Sequence, residues 1–272
     1  MALVVAVSSL KGGVGRTMLA ANLASALVQS GRRAMAVDLD AQNALGAHFG
    51  RGPAPERGVA ELHAEILPGV ERGAAAVRGE AGCMPFGAAT DEEMTALEAR
   101  LQSDPSWLKR RIDAVTPPGC EFVVLDTPGH RSPWLSRALE LADVVLAVVG
   151  ADPASYLTLP AFEGLLAQTR GSRAGGLAAT YVVNQFDAAS NVRRDVVASL
   201  RQLFPGRVAP MVIHADEAVK DALGRQQTLF REATHSQALA DIGELGEWLI
   251  GQIGAGTRSE TEEPRRAAGA RS

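Results

Sequence analysis

Short apolar runs alternate along the chain with segments in which apolar residues recur at three- and four-residue intervals. The runs are bounded by glycine or polar residues, which is typical of strands that are buried on both faces. Strands are predicted at Leu3–Val7, Ala34–Val37, Phe122–Leu125, Val144–Val149, Thr180–Val183 and Val208–Ile213. Helices are predicted at Met18–Val28, Trp134–Leu141, Leu157–Gln168, Val192–Leu203 and Ser236–Ile253.

This alternation predicts an α/β fold, with a mostly parallel, doubly wound sheet and helices on both faces. Residues 51–116 interrupt it, because they begin with a Gly- and Pro-rich stretch. Helix candidates follow at Gly58–Leu67 and Asp91–Leu108, with a short strand near Gly82–Phe86. We expect residues 51–116 to form an elaborated crossover within one domain, residues 1–253, followed by a disordered polar tail, residues 254–272.

The composition fits a single globular domain and excludes several classes of protein. A chain of 272 residues, 46% of them apolar, can bury a large core without disulfides or metals. The net charge of −4 argues against a generally basic nucleic-acid binder. The two cysteines, Cys83 and Cys120, form no CxxC pair, so we expect packed small residues in a reducing cytosol. The apolar N-terminus is too short to span a membrane and lacks a basic region, so no signal peptide or integral membrane segment is expected.

A glycine-rich loop follows the first predicted strand and leads into the first predicted helix. Glycines let the backbone approach an anion, and the free N–H groups of the loop and the helix N-terminus then face phosphates. A glycine-rich turn that binds nothing is disfavoured, because three glycines, a lysine and a threonine fall at useful positions. The residues predicted to bind a nucleotide are Lys11, Gly12, Gly13, Val14, Gly15, Arg16, Thr17 and Met18. The Thr17 hydroxyl is also a predicted Mg²⁺ ligand.

The loop departs from the usual phosphate-loop pattern GxxxxGK[ST], because Leu10 replaces the first glycine and Arg16 the lysine. It resembles the deviant sequence KGGxGK[ST] of the MinD/ParA ATPases. This resemblance implies a P-loop NTPase domain that binds ATP and Mg²⁺. It also implies that Lys11 acts in catalysis by reaching across a dimer interface to the partner's nucleotide. Lysine is scarce in this chain, occurring only at Lys11, Lys109 and Lys220.

Arg16 and Met18 are the two departures from the family pattern. Arginine keeps the positive charge of the family's second lysine, but its planar fork needs more room and favours bidentate geometry. Phosphoryl transfer depends heavily on positioning, so a small misfit slows the reaction. The sequence therefore predicts nucleotide binding and leaves the rate of hydrolysis open, including a weak or degenerate ATPase.

Carboxylates follow two of the predicted strands. The segment Asp38-Leu39-Asp40-Ala41-Gln42 resembles the family's first switch, DxDxQ, which implies that Asp40 holds the attacking water. Asp38 then lies in the Mg²⁺ shell or braces the loop. The alternative is that such a carboxylate only caps the following helix.

The segment Phe122–Gly129 is a hydrophobic strand followed by Asp-Thr-Pro-Gly, and it resembles the Walker B strand joined to the second switch. The resemblance implies that Asp126 holds Mg²⁺ through water and that Gly129 lets the loop respond to the γ-phosphate. His130, which differs from the family's usual residue, is expected to be an exposed loop side chain.

The predicted strand at Thr180–Val183 leads into Asn184-Gln185-Phe186-Asp187. In the MinD/ParA family the corresponding asparagine contacts adenine, which makes Asn184 the base-binding candidate. The quartet also resembles the guanine-reading NKxD of G proteins, with Gln185 at the lysine, so Asp187 leaves GTP open. The sequence KGGVGRT favours ATP.

Later segments narrow the resemblance to the BcsQ (YhjQ) branch of the family, which is encoded with bacterial cellulose synthase. They are Asp152–Pro160, Ile213–Leu223 and Ala233–Ala238, although Asp216 also suits a simple helix N-cap. This branch implies a cytoplasmic, ATP-dependent homodimer that supports the cellulose synthase machinery at the inner membrane. Any localisation at the membrane or at a cell pole would then depend on partner proteins.

Two other functions stay open at this point. One is a ParA-type DNA-partitioning ATPase, with Arg193, Arg194, Arg201 and Arg207 as a basic patch. Binding to DNA is disfavoured, since scattered arginines are more typical of a solvated helix face. The other is a scaffold that binds nucleotide without hydrolysing it.

Overall fold

In the computed structural model, residues 2–51, 58–60, 81–170, 179–232 and 235–262 are described. Their strands are β1 Leu3–Ser8, β2 Ala34–Asp38, β3 Gly82–Met84, β4 Phe122–Asp126, β5 Val144–Gly150, β6 Ala179–Phe186 and β7 Val208–His214. The first helices are α1 Arg16–Gln29, a 3₁₀-helix Leu45–Phe49, α2 Asp91–Ser103, α3 Trp107–Val115, α4 Pro133–Leu141 and α5 Pro153–Tyr156. The later ones are α6 Leu159–Arg170, α7 Asn191–Leu203, α8 Ala218–Gly224, α9 Leu229–Glu232 and α10 Gln237–Glu262.

The seven strands of the described residues form one sheet in the order β3-β2-β4-β1-β5-β6-β7, and every neighbouring pair is parallel. One core cluster packs α2, α3, α4 and α6 on one face, and a second packs α1 and α10 on the other. The predicted α/β fold with a doubly wound parallel sheet is therefore confirmed. Because all strands run the same way, their carboxyl ends meet at one edge, where β1, β2, β4 and β6 present the predicted site residues.

Prolines account for differences between two predicted helices and the helices in the structure. The helix predicted at Asp91–Leu108 is two helices, α2 and α3, separated by Asp104-Pro105-Ser106. Proline lacks an N–H donor and disfavours helical geometry in the residue before it, which explains the end of α2 at Ser103. The helix predicted from Leu157 is preceded by the short α5, which Pro153 begins and the Asp152 side chain caps through the Ser155 amide.

The crossover contributes to the same sheet as the rest of the chain. Its predicted short strand is β3, which pairs with β2 at the sheet edge. In the predicted helix Gly58–Leu67, the first three residues instead form a turn whose Val59 and Ala60 amides donate to the carbonyls of Pro85 and Phe86. Residues 61–67 lie outside the described residues.

The chain ends differently from the prediction. The backbone of α10 continues to Glu262, nine residues beyond Ile253, so the segment expected to be disordered is helical over 254–262. A segment without large apolar side chains has little to pack against a core, but it can still form a helix. Alanine, glutamate and arginine are good helix formers. Residues 263–272 lie outside the described residues. Among the described helices, none is both long and apolar enough to cross a bilayer.

Asp216 joins two helices behind the carboxyl edge of the sheet. One carboxylate oxygen accepts a hydrogen bond from the Ala218 amide of α8 at 2.9 Å. The other accepts from the Ser236 hydroxyl at 2.7 Å and from the Ala238 amide of α10 at 3.2 Å. The N-cap of α8 is Glu217 rather than Asp216, but the Asp216 carboxylate accepts from amides at the start of both α8 and α10.

Candidate functional site

The loop between β1 and α1 has the backbone that an anion site requires. Gly13 and Gly15 have φ values of +75° and +87°, which residues with side chains rarely adopt. The first turn of α1 carries no acidic residue and no side-chain cap, so its N–H groups are free of competing acceptors from a capping side chain. Uncapped N–H groups at a helix start are a ready binding surface for phosphate.

The end of β6 supports this loop directly. Asn184 is buried, and its amide Nδ2 donates to the carbonyl of Val14 at 2.7 Å. Gln185 Nε2 donates to the carbonyl of Gly13 at 3.0 Å. A side chain at Gly15 would overlap the Asn184 amide, so glycine is required there by close packing as well as by its backbone. The structure thus places Asn184 against the phosphate loop, and its contact with adenine stays a prediction.

Two carboxylates lie side by side at the ends of β2 and β4. Asp38 and Asp126 are register partners in the parallel pairing of these strands, and both are buried. Asp38 accepts hydrogen bonds from the amides of Asp40 at 2.9 Å and Leu45 at 3.0 Å. Burial and the neighbouring Asp126 charge raise the pKa of Asp38 well above its usual value, although the two amides act against this. Bracing of the first-switch loop, one of the two roles considered for Asp38, is therefore visible.

Asp126 has an oxygen that fits a cation. Its Oδ1 is buried and has no hydrogen-bond partner among the described residues. Burial raises the pKa of Asp126 to about 7, although the Thr17 hydroxyl and the Arg16 charge lower it. Mg²⁺ is commonly held by one or two carboxylates together with substrate phosphates. The Asp126 oxygen fits the carboxylate part of such a site, and the described residues contain no group of three or more acidic, histidine or cysteine side chains that could hold a metal by themselves.

Asp40, predicted to hold the attacking water, begins the loop after β2 and is partly exposed. Its Oδ1 accepts from the Gln42 amide at 3.1 Å, so it also closes a tight turn. Sequence analysis did not identify Asn43, which lies three residues after Asp40. Asn43 exchanges two hydrogen bonds with the backbone of Gly87, at 2.8 and 2.9 Å. The positive φ of Asn43, +52°, is one asparagine tolerates better than most residues. These bonds fasten the loop after β2 to the segment after β3.

Lys11 is bound within its own chain. Its Nζ lies 2.9 Å from both carboxylate oxygens of Asp152 and 3.1 Å from the Ser155 hydroxyl. Burial alone raises the pKa of Asp152, but hydrogen bonds from Lys11 and Ser155 outweigh it and hold the pKa at about 2. The two side chains are 30% and 39% exposed, so the pair lies at the surface of the site. A lysine that reaches a partner subunit must first leave Asp152.

Sequence analysis did not identify Asp152 as part of the site. The available signal was its place immediately after β5, at the same sheet edge as the phosphate loop. Its own sequence context, Asp-Pro-Ala-Ser, is a helix-capping pattern, and it does cap α5. The capping and the ion pair use the same carboxylate, which hides the second role from sequence alone.

Arg16 is directed to the second switch. Its Nη1 donates to the carbonyl of Thr127, and its guanidinium lies over Gly129.

Met18, the other departure from the family pattern, is partly buried and packs against the core on the α1 face. His130 is exposed, as predicted.

The four arginines considered as a DNA-binding patch have other contacts. Arg193, Arg194 and Arg201 donate to the carbonyls of Gln185, Ala188 and Pro210. Arg207 forms a bidentate ion pair with Glu163, which lies on α6. These contacts favour local structural roles over a basic surface.

Cys83 is buried and Cys120 is partly buried, and both are free thiols.

Comparisons with known proteins agree on one group. The family model described as "Cellulose biosynthesis protein BcsQ" matches residues 1–250. The chromosome-partitioning ATPase Soj of Thermus thermophilus is 30% identical over 258 residues, covering 92% of this chain and 96% of Soj. BcsQ of Salmonella typhi is 26% identical over 250 residues, covering 91% and 94%. The structure of MinD from Pyrococcus horikoshii complexed with Mg-ADP has a TM-score of 0.72 at 19% identity, covering 94% and 98%.

Asp126→Asn is expected to raise the melting temperature of the nucleotide-free protein, and the gain should grow as the pH rises from about 5 to about 8. The folded-state pKa of Asp126, about 7, exceeds the value of 3.8 for a free carboxyl, so folding favours the protonated form. The free energy of unfolding therefore falls as the pH rises through this range, and an amide escapes that loss. Each kcal/mol regained corresponds to about 2–4 °C.

The measurement is the difference in melting temperature between variant and wild type at each pH. Asp187→Asn is the matched control, because Asp187 is an exposed carboxylate that follows β6. A pH-dependent gain confined to Asp126→Asn would assign the effect to the buried position. A flat profile for Asp126→Asn would show that the buried carboxyl does not titrate in this range.

Proposed function

The chain belongs to the BcsQ family of cellulose biosynthesis proteins, within the MinD/ParA ATPases, and from this premise we propose that it is an ATP-dependent dimeric switch supporting bacterial cellulose synthase. The observation that carries the nucleotide part is the uncapped start of α1 beside the buried Asp126 Oδ1, which has no hydrogen-bond partner within the part of the chain that the structure describes. An anion site and a cation site next to each other are what a magnesium nucleotide requires.

The order of the strands that carry the site residues indicates how the nucleotide lies. Asp38 and Asp126 are on one side of β1, on β2 and β4, so the Mg²⁺ and the γ-phosphate belong there. The base then extends towards β5 and β6 on the other side, where Asn184 lies. Asp187, the candidate guanine reader, accepts from the Ala189 amide in an exposed turn, which favours ATP over GTP.

Residues of the phosphate loop would hold the triphosphate through their backbone N–H groups, and Thr17 and Asp126 would hold Mg²⁺. The metal, when bound, neutralises charge on the phosphates during transfer. Asp40 would orient the attacking water. MinD from Pyrococcus horikoshii, described in complex with Mg-ADP, supports this assignment through its shared fold.

Dimerisation is the part of the proposal that assigns a role to Lys11. Within one chain Lys11 is paired with Asp152 at the rim of the site, where a second subunit can also reach it. The partner's nucleotide phosphates offer more negative charge than one carboxylate, so exchange of partners is electrostatically favourable. The protein would act in the cytoplasm and meet the inner membrane through the cellulose synthase machinery.

Lys11→Ala is expected to abolish the doubling of mass that wild-type protein shows when MgATP is added. The reason is loss of the charge that bridges the subunits, while nucleotide binding through the loop backbone persists. The measurement is light scattering after size-exclusion chromatography, with a nucleotide-binding assay in parallel. Lys109→Ala is the matched control, since Lys109 is an exposed lysine paired with Asp113 on α3.

The same pair of variants tests the cellulose part in cells of the source bacterium. Cellulose output, measured by binding of a cellulose-specific dye, should fall with Lys11→Ala and stay at the wild-type level with Lys109→Ala. Unchanged dimerisation in Lys11→Ala would refute the trans-acting lysine. Unchanged cellulose output with lost dimerisation would refute only the cellulose role.

Slow hydrolysis is proposed because Arg16 occupies the position of a phosphate-binding lysine. Arg16→Lys is expected to raise the rate of phosphate release by about tenfold or more, since correct positioning has effects of this size. The measurement is steady-state phosphate release with MgATP. Arg201→Lys is the control, because Arg201 also donates to a backbone carbonyl but lies on α7. Fast release by the wild type would remove the non-hydrolysing scaffold from consideration.

A DNA-partitioning ATPase is the second candidate, favoured by the 30% identity to Soj. Its signature would be MgATP-dependent binding to nonspecific duplex DNA that weakens steeply with salt. We expect no such binding, because the candidate arginines are engaged with carbonyls and with Glu163. Salt-sensitive, MgATP-dependent binding of DNA by the wild type would favour the DNA-partitioning function over the cellulose function.

A further inference from the structure

The Arg16 side chain leaves the phosphate loop and ends on the second switch. Its Nη1 donates to the Thr127 carbonyl, and Thr127 itself is fully buried. The Thr127 hydroxyl donates to the carbonyl of Val7 at 3.0 Å, which ties the residue to β1. The acceptor that Arg16 uses is therefore held in a fixed position.

Gly129 completes the place where the guanidinium lies. A Cβ at this position would be 3.0 Å from the Arg16 Cζ and would overlap its Nη2. The φ of Gly129 lies outside the left-handed region, so its backbone is open to residues with a side chain. The three atoms nearest to a methyl group at 129 all belong to the Arg16 guanidinium.

We propose that the Thr127 carbonyl and Gly129 form a seat for the Arg16 guanidinium in the nucleotide-free protein, and that bound phosphates draw the guanidinium off this seat. This inference rests on the nucleotide binding proposed above. Gly129 is then a positioning residue that acts on the nucleotide through Arg16. One guanidinium serves two acceptors in turn, so the phosphate loop and the second switch are coupled.

The direction of the exchange follows from the two acceptors. Arginine is the charged donor in both bonds, but a carbonyl is a neutral acceptor, whereas phosphate oxygens carry negative charge and accept in the bidentate geometry that a guanidinium favours. The seat stabilises the unliganded state, and an interaction made only in that state lowers the apparent affinity for ligand. Release of Arg16 on binding would leave the Thr127 carbonyl without this donor and free the loop to move.

The first experiment measures the dissociation constant of MgADP for four proteins: wild type, Gly129→Ala, Arg16→Ala and the double variant. The methyl group displaces the guanidinium from its seat, so Gly129→Ala should bind about three- to tenfold more tightly than wild type. In the Arg16→Ala background the same substitution should change affinity by less than about twofold, because no guanidinium remains to be displaced.

Two results would overturn the proposal. Equal effects of Gly129→Ala in both backgrounds would mean that the glycine acts independently of Arg16. Weaker binding by Gly129→Ala only when Arg16 is present would mean that the guanidinium keeps the Thr127 carbonyl in the bound state, which contradicts the exchange.

The second experiment uses hydrogen exchange in the absence of nucleotide, so it stands even if no nucleotide binds. The amides of Thr127, Gly129, His130 and Arg131 should exchange several-fold faster in Arg16→Ala than in wild type, because the seat has lost its occupant. Arg201→Ala, which removes another arginine-to-carbonyl bond, should leave this segment unchanged. Unchanged exchange in Arg16→Ala would overturn the seat itself, whereas failure of all four proteins to bind MgADP would overturn only the proposed function.

Discussion

Two buried carboxylates set the electrostatic problem around which the site is built. The parallel register of β2 and β4 brings Asp38 and Asp126 to the same level at the carboxyl edge of the sheet. Burying a carboxylate is costly unless hydrogen bonds or an opposite charge compensate it. Asp38 is compensated by two backbone amides. Asp126 is compensated in part by the Thr17 hydroxyl and the Arg16 charge, but its Oδ1 has no hydrogen-bond partner among the described residues. This oxygen lies next to the start of α1, where a cation that accompanies phosphates would lie.

The two cations of the phosphate loop are held on opposite sides of β1. Lys11 is bound to Asp152 after β5, and Arg16 to the Thr127 carbonyl after β4. Neither positively charged side chain points towards the N–H groups that would bind an anion. Under the proposed function, a nucleotide would compete with a carboxylate for Lys11 and with a neutral carbonyl for Arg16. The Lys11 contact is ionic and partly exposed, so it depends on salt. The Arg16 contact is partly buried and depends on geometry.

The sequence was sufficient for the sheet and for the residues at its edge, because strands buried on both faces are continuous apolar runs. Asp38, Asp126 and Asn184 directly end or follow such runs, so parallel topology alone brings them to one edge. The contact between Lys11 and Asp152 joins residues 141 positions apart and depends on side-chain conformations that no local pattern records. The orientation of Arg16 is a further case, since its length allows it to pass the loop and reach the switch. Periodicity also failed at Pro105, where apolar spacing continues through a break in the backbone.

The identities of the two cations match the different tasks that the geometry gives them. An ammonium is a compact point charge with three freely rotating donors, so Lys11 can exchange Asp152 for another anion with little demand on direction. A guanidinium is planar and donates in fixed directions, so Arg16 can hold one carbonyl while lying flat against a glycine. Exchanging the two residue types would place a directional donor against the Asp152 carboxylate and a non-directional donor against the Thr127 carbonyl. In a chain with only three lysines, the lysine at position 11 therefore suits a partly exposed ion pair, and the arginine at position 16 suits a fixed carbonyl beside a glycine.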